Sequence, residues 1–148
     1  MKNQFKTTIL LMALCFCSNL TVFAQKHNYS KSVSFKVEKI KENTSLATGN
    51  QSWVSPSRGF KFVSITLALT NDSETPEAID FDNFHLLNSK TKTKHKVEFV
   101  RTAGFIQFPA ALKLSINKGK KKRVLVFIYP EFDTPRFLSL NENSIELN

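Results

Sequence analysis

The chain has 148 residues, with 21 lysines and arginines against 12 aspartates and glutamates, a formal charge of +9 and two cysteines, Cys15 and Cys17. A chain of this length forms a single domain that buries well over half of its unfolded surface. Beyond residue 24 there is no thiol, which excludes a disulfide and a Cys-ligated metal, and no apolar run is long enough to cross a bilayer.

Residues 1–24 read as a secretory signal. Lys2 and Lys6 supply a basic start, Thr8 to Phe16 an apolar stretch, and Val22-Phe23-Ala24 the residues a signal peptidase reads, with cleavage expected between Ala24 and Gln25. The apolar run is shorter than the roughly 20 residues of a membrane span and is broken by Ser18-Asn19. Leu14 and Phe16, which precede the two cysteines, are too large for a lipoprotein site. The product is therefore expected outside the cytoplasm, periplasmic or extracellular, with no transmembrane anchor after processing. Removing 24 of 148 residues leaves 124, and losing Lys2 and Lys6 leaves 19 basic against 12 acidic residues, a charge of +7. Such a surface suits an anionic envelope component, or serves solubility alone.

Gln25 to Lys31 is a polar lead-in, and Ser32 to Lys41 the first strand, with Val33, Phe35 and Val37 on one face and Lys36 and Glu38 on the other. Glu42 to Arg58 reads as a long polar loop, and long loops are functional or mobile. It carries Trp53, the only tryptophan, either as a cap on the core, the commoner use, or as an anchor for a ligand. Gly59 to Asn71 has the most regular pattern. Val63, Ile65, Leu67 and Leu69 alternate with Ser64, Thr66, Ala68 and Thr70, so four aliphatic side chains share one face and need a second sheet to cover them. Asn71 to Pro76 supplies turn chemistry.

Glu77 to Asp80 is a short extended piece. Phe84 to Asn88 and Thr93 to Val100 form a hairpin across Ser89-Lys90-Thr91-Lys92. On its second arm His95, Val97 and Phe99 are expected on one face, and Lys92, Lys94, Lys96 and Glu98 on the other. Gly104 to Ala111 is apolar without clean periodicity and reads as a plug at one end of the domain or an exposed recognition loop. Leu112, Leu114 and Ile116 alternate again, and Asn117-Lys118-Gly119-Lys120 reads as a turn with a glycine free to take positive φ. Arg123 to Tyr129 is apolar on both faces and ends at Pro130. Phe137 to Leu140 and Ser144 to Leu147 form a final edge. The pattern predicts an all-β antiparallel sandwich of about seven or eight strands.

The chain carries no G-x-S-x-G, H-E-x-x-H, G-x-G-x-x-G or P-loop. Asp80, Asp82 and His85 do not converge on an extended chain and read as a polar turn, and Glu131 and Asp133 read the same way. Cleavage after Ala24 would expose Gln25-Lys26-His27. A free amine, two deprotonated amides and a third-position imidazole then offer four nitrogens to Cu(II) or Ni(II). Lys118, Lys120, Lys121, Lys122 and Arg123 are the densest run of charge and read as a turn with its side chains in solvent. With Lys92, Lys94 and Lys96 they form a polyanion footprint if the two hairpins are neighbours. Aromatic residues that would stack bases are absent near this run, which argues against nucleic acid.

The order of Phe62 to Asn71, Phe84 to Lys90, and Leu114 to Lys120 leading into Val124-Leu125-Val126-Phe127 resembles secreted bacterial immunoglobulin-like domains of unknown function, related to the mycobacterial immunoprotective extracellular antigen. In that family a Pro-Gly-Lys-type turn precedes a Leu-Val-Phe strand, and here Lys118 stands where proline is usual. The resemblance spans about Phe60 to Leu140. It implies an immunoglobulin-like sandwich over residues 25–148, and no catalytic residue or cofactor. The expectation is an exported, non-catalytic binding or envelope-associated module that meets an anionic surface or a protein partner. A metal-handling protein and a purely structural accessory domain are the alternatives.

Overall fold

The computed structural model describes residues 25–48, 52–102 and 112–147. The signal segment and the Gly104–Ala111 stretch lie outside the described residues. Twelve strands run through the described chain: β1 (His27–Asn28), β2 (Val33–Asn43), β3 (Leu46–Thr48), β4 (Ser52–Val54), β5 (Phe60–Asn71), β6 (Glu77–Asp80), β7 (Phe84–Asn88), β8 (Lys94–Thr102), β9 (Lys113–Ile116), β10 (Gly119–Pro130), β11 (Pro135–Leu140) and β12 (Asn143–Glu146). Eight form one curled antiparallel sheet in the order β1-β2-β5-β10-β8-β7-β11-β12, and β3–β4 and β6–β9 form two small ladders. The result is an antiparallel, immunoglobulin-like β-sandwich, as the strand pattern predicts.

The sheet folds over on itself at β8. Lys94, His95 and Lys96 pair with β7, whereas Val97 to Thr102 pair with β10. A strand that changes partners at an irregularity is the usual way to make a sandwich corner. The irregularity here is a β-bulge. Val126 is paired with Phe99 and Phe127 with Val97, which leaves Glu98 as the extra residue.

β5 and β10 are the central pair, in register from Phe60–Pro130 to Asn71–Gly119. Their inward residues Val63, Ile65, Leu67, Leu69, Leu125, Phe127 and Tyr129 are fully buried. They pack with Phe35, Ile79, Phe81, Phe84, Leu86 and Leu138 into one core. Asn71 ties the layers together. Its buried Nδ2 donates to Ile116 O at 2.8 Å and Thr75 O at 3.1 Å, while its Oδ1 accepts from Ser73 N at 2.9 Å.

A second, smaller core lies on the outer face of the same sheet, where Leu46, Phe62, Phe99 and Val126 are buried together. Phe62 and Phe99 meet edge to face with centroids 6.1 Å apart. The expected placement of Phe99 beside Val97 is therefore corrected. The extra residue Glu98 reverses the alternation, so Val97 and Val100 enter the main core and Phe99 the outer one.

The stretch read as a polar loop is another difference. β2 continues to Asn43, and β3 and β4 pair across it, Leu46 with Val54 and Ala47 with Trp53. Leu46 and Val54 cover the outer core, but two apolar residues are too few to register as a pattern. Trp53 is 69% exposed, which does not fit a cap on the described core. The Ser89–Lys92 turn forms as expected, with Asn88 Oδ1 accepting from Lys90 N and Thr91 N at 2.9 and 2.8 Å. Gly119 takes φ +108° at the start of β10, the left-handed region open to glycine.

Candidate functional site

The outer face of the sheet, beyond the β3–β4 cover, is small and polar at its centre and cationic at its margins. Two bulges set which residues it presents. In β2, Val37 pairs with Leu67 and Lys39 with Thr66, so Glu38 is the extra residue. Without it, the alternation set by Val33, Phe35 and Val37 would point Lys39 and Lys41 into the core. With it, Ile40 packs on the core and both lysines face outward. The bulge at Glu98 does the same for Arg101.

The registers then stack these residues into rows across four strands. Lys39, Thr66, Val124 and Arg101 form one row, and Lys41, Ser64, Val126 and Phe99 the next. Lys39 and Arg101 are three strands apart, roughly 14 Å between backbones at about 4.8 Å per step. Their long side chains flank the short ones of Ser64, Thr66 and Val124. The space between is a cleft of about 270 Å³ lined by Lys39, Lys41, Ser64, Thr66, Arg101 and Thr102, among others.

Its electrostatics are one-sided. Among the described residues no carboxylate lines the cleft, and Lys39, Lys41 and Arg101 form no ion pair. Glu38 is nearby, but it bonds Lys122 Nζ at 2.8 Å. Burial lowers the pKa of the Arg101 guanidinium from its ordinary value. The group stays charged, so it has given up water without a carboxylate in return. Ser64 is 93% buried, and among the described residues its Oγ has no hydrogen-bond partner. A buried hydroxyl left unpaired costs about 1–3 kcal/mol.

A second hollow of about 410 Å³ continues this face toward β1, lined by Lys26, Ser34, Lys36, Ala68, Thr70 and Lys120, with the Lys122-paired Glu38 at its edge. Lys26 lies 3.8 Å from Asp72. Lys36, which pairs with Ala68, and Lys120, which pairs with Thr70, have no acidic partner among the described residues.

The basic residues singled out in the sequence are divided by the fold. Lys120 to Arg123 lie within β10, not on a turn, so they alternate. Lys120 and Lys122 face outward, while Lys121 and Arg123, opposite Leu69 and Leu67, face the other way. Arg123 Nη1 donates to Lys122 O at 2.8 Å. Lys92, Lys94 and Lys96 sit at the far end of β8. Lys94 pairs with Leu87, Lys96 with His85, and Lys92 Nζ stands 4.7 Å over the Phe137 ring. Arg123 pairs with Thr102, so the length of β8, roughly 26 Å at 3.3 Å per residue, separates the two groups. They do not form one footprint. Lys39, Lys41, Ser64 and Arg101 were missed, and the signal for them is the break in parity from Val37 to Ile40 and from Val97 to Val100.

At the N-terminus, His27 pairs with Phe35 and its ring tilts against that phenyl at 5.5 Å. Burial lowers its pKa and so favours the neutral imidazole that a metal requires. A four-nitrogen site on Gln25, Lys26 and His27 would draw His27 out of that ladder. Asp80 accepts from Asp82 N at 3.1 Å and pairs with Lys113 at 3.0 Å. Asp133 accepts from Ser89 Oγ at 3.0 Å and Thr134 N at 2.8 Å. Among the described residues no three His, Cys, Asp or Glu side chains group as metal ligands, and no helix is long and apolar enough to cross a membrane.

No protein-family model and no curated protein matches this chain. Two solved structures share its fold. A conserved hypothetical protein from Bacillus anthracis superposes with a TM-score of 0.59 at 12% identity, over 84% of this chain and 92% of that one. An uncharacterized β-sandwich protein from Clostridium difficile 630 superposes with a TM-score of 0.57 at 10% identity, over 83% of this chain and 88% of that one.

Proposed function

We propose that this protein is an exported, non-catalytic binding module that docks on an anionic partner of the cell envelope through the outer face of its central sheet. The observation that carries this reading is the concentration of Lys36, Lys39, Lys41, Arg101 and Lys120 on one face, none of them in an ion pair among the described residues, while Glu38, the carboxylate at this face, is paired with Lys122. Unpaired cations on a sheet face repel one another, and an anion that meets them recovers this energy. The signal-like residues 1–24, and the strand order that resembles the secreted antigen-related domains, support export.

Binding of the purified protein to phosphatidylglycerol vesicles, measured across about 0.05 to 0.5 M salt, tests the reading. A Lys36→Gln/Lys120→Gln variant runs beside the parent protein. Steep loss of binding with salt, and at least a several-fold loss in the variant, is the expected result. Salt-independent binding, or equal binding by both proteins, would retire the outer face as the docking surface.

A further inference from the structure

We infer that the cleft between β2 and β8 is a subsite for a single tetrahedral oxyanion, a phosphate or sulfate group, held by Arg101, Lys39, Lys41 and the hydroxyl of Ser64. The inference deepens the proposed anionic recognition and rests on it. A diffuse basic face needs only exposed lysines, but this cleft has features that such a face does not require. Arg101 is half-buried without a carboxylate, and Ser64 Oγ is buried at the cleft with its hydrogen bond unmade. A guanidinium donates two parallel hydrogen bonds to two oxygens of one phosphate or sulfate. A serine hydroxyl donates to a third, and the two ammonium groups more than offset the charge that the guanidinium leaves. The four groups come from β2, β5 and β8, and the registers through β10 fix their rows.

The closing experiment is a nuclear magnetic resonance titration of ¹⁵N-labelled protein with inorganic phosphate and with sulfate at constant ionic strength, using chloride as the control. Phosphatidylglycerol vesicles form a separate arm. Saturable shifts at the amides of Lys39, Ser64 and Arg101 with phosphate or sulfate, and none with chloride, are expected. Arg101→Gln should weaken phosphate binding about tenfold or more, and Ser64→Ala several-fold, as expected for charge-assisted hydrogen bonds. Lys94→Gln should leave it within about twofold, because that lysine pairs with Leu87 at the far end of β8, away from the cleft. Ser64→Ala removes one oxygen, and preserved spectral dispersion verifies its fold. Shifts that stay linear, spread equally to Lys92 and Lys120, or persist in both cleft variants would mean an adventitious ion only and overturn the subsite. Vesicle binding that survives such a result leaves the docking face standing without the subsite. Saturable phosphate binding without vesicle binding assigns the subsite to a soluble phosphate or sulfate and removes the membrane as its source.

Discussion

Glu38 and Glu98 play the same part on two strands that do not pair with each other. Each is the extra residue of a β-bulge, Glu38 in β2 against β5 and Glu98 in β8 against β10. Each reverses the alternation of its strand, so the residues after it change faces. Together they put Lys39, Lys41 and Arg101 on one side of the sheet, and Ile40 and Val100 on the other.

Ser64 is expected to trade stability for binding. Its hydroxyl is buried without a partner among the described residues, so Ser64→Ala relieves an unmade hydrogen bond. The variant should unfold about 1 kcal/mol later than the parent protein without added anion, and gain less from phosphate. Urea unfolding with and without phosphate measures both. A variant less stable than the parent under both conditions would show that the hydroxyl already has a partner.

Phe99 and Trp53 separate the outer core from its cover. Phe99 is 6% exposed and packs edge to face on Phe62, whereas Trp53 is 69% exposed. Phe99→Ala should cost about 3 kcal/mol through loss of buried area and the cavity left behind. Trp53→Ala should stay within about 0.5 kcal/mol. Chemical denaturation of both variants gives the comparison, and a large loss for Trp53→Ala would place that ring in the packing.

Asn71→Ala should cost about 2–4 kcal/mol. The side chain is 1% exposed and joins β5 to the β9 strand end and to the following turn through three hydrogen bonds. Removing it strands the buried Ile116 carbonyl and leaves a cavity, while the Thr75 carbonyl and the Ser73 amide are turned back to water. The shift in the denaturation midpoint measures the cost. A neutral result would mean that water replaces the amide.

Two rings in contact give opposite pH effects. His95 lies 4.8 Å from Tyr129 between ring centroids. Burial lowers the His95 pKa from its ordinary 6.5, opposed by a hydrogen bond with the Ile128 backbone and by the Asp133 charge. The unfolded chain therefore takes up this proton first. The His95 contribution is full above about pH 6.5 and declines as pH falls toward the lowered value. Burial and Asp133 push Tyr129 from 10.0 up to about 12, so its contribution is full below pH 10 and declines as pH rises from there. Unfolding midpoints across pH should slope less on the acid side in His95→Gln and on the alkaline side in Tyr129→Phe. Profiles parallel to the parent protein's would assign the titrations elsewhere.

The period-two pattern of β5 and the continuous apolar run of β10 were legible in the chain because both are local properties of an extended backbone. Val63 to Leu69, and Leu125 to Tyr129, need no knowledge of their neighbours to declare a buried strand, and the turn at Ser89–Lys92 is equally local. That was enough to determine an antiparallel sandwich. The basic residues were legible as charges but not as a surface. Lys120 to Arg123 read as one cluster, yet pairing with Thr70 to Leu67 divides them between two faces. Lys39 and Arg101 are far apart in sequence, and only the register through Thr66 and Val124 aligns them. One inserted residue inverts every side chain beyond it, and where it is accommodated depends on how the partner strand packs. The tertiary structure therefore decided which charges face together, while the sequence alone determined that a two-faced sheet would exist to carry them.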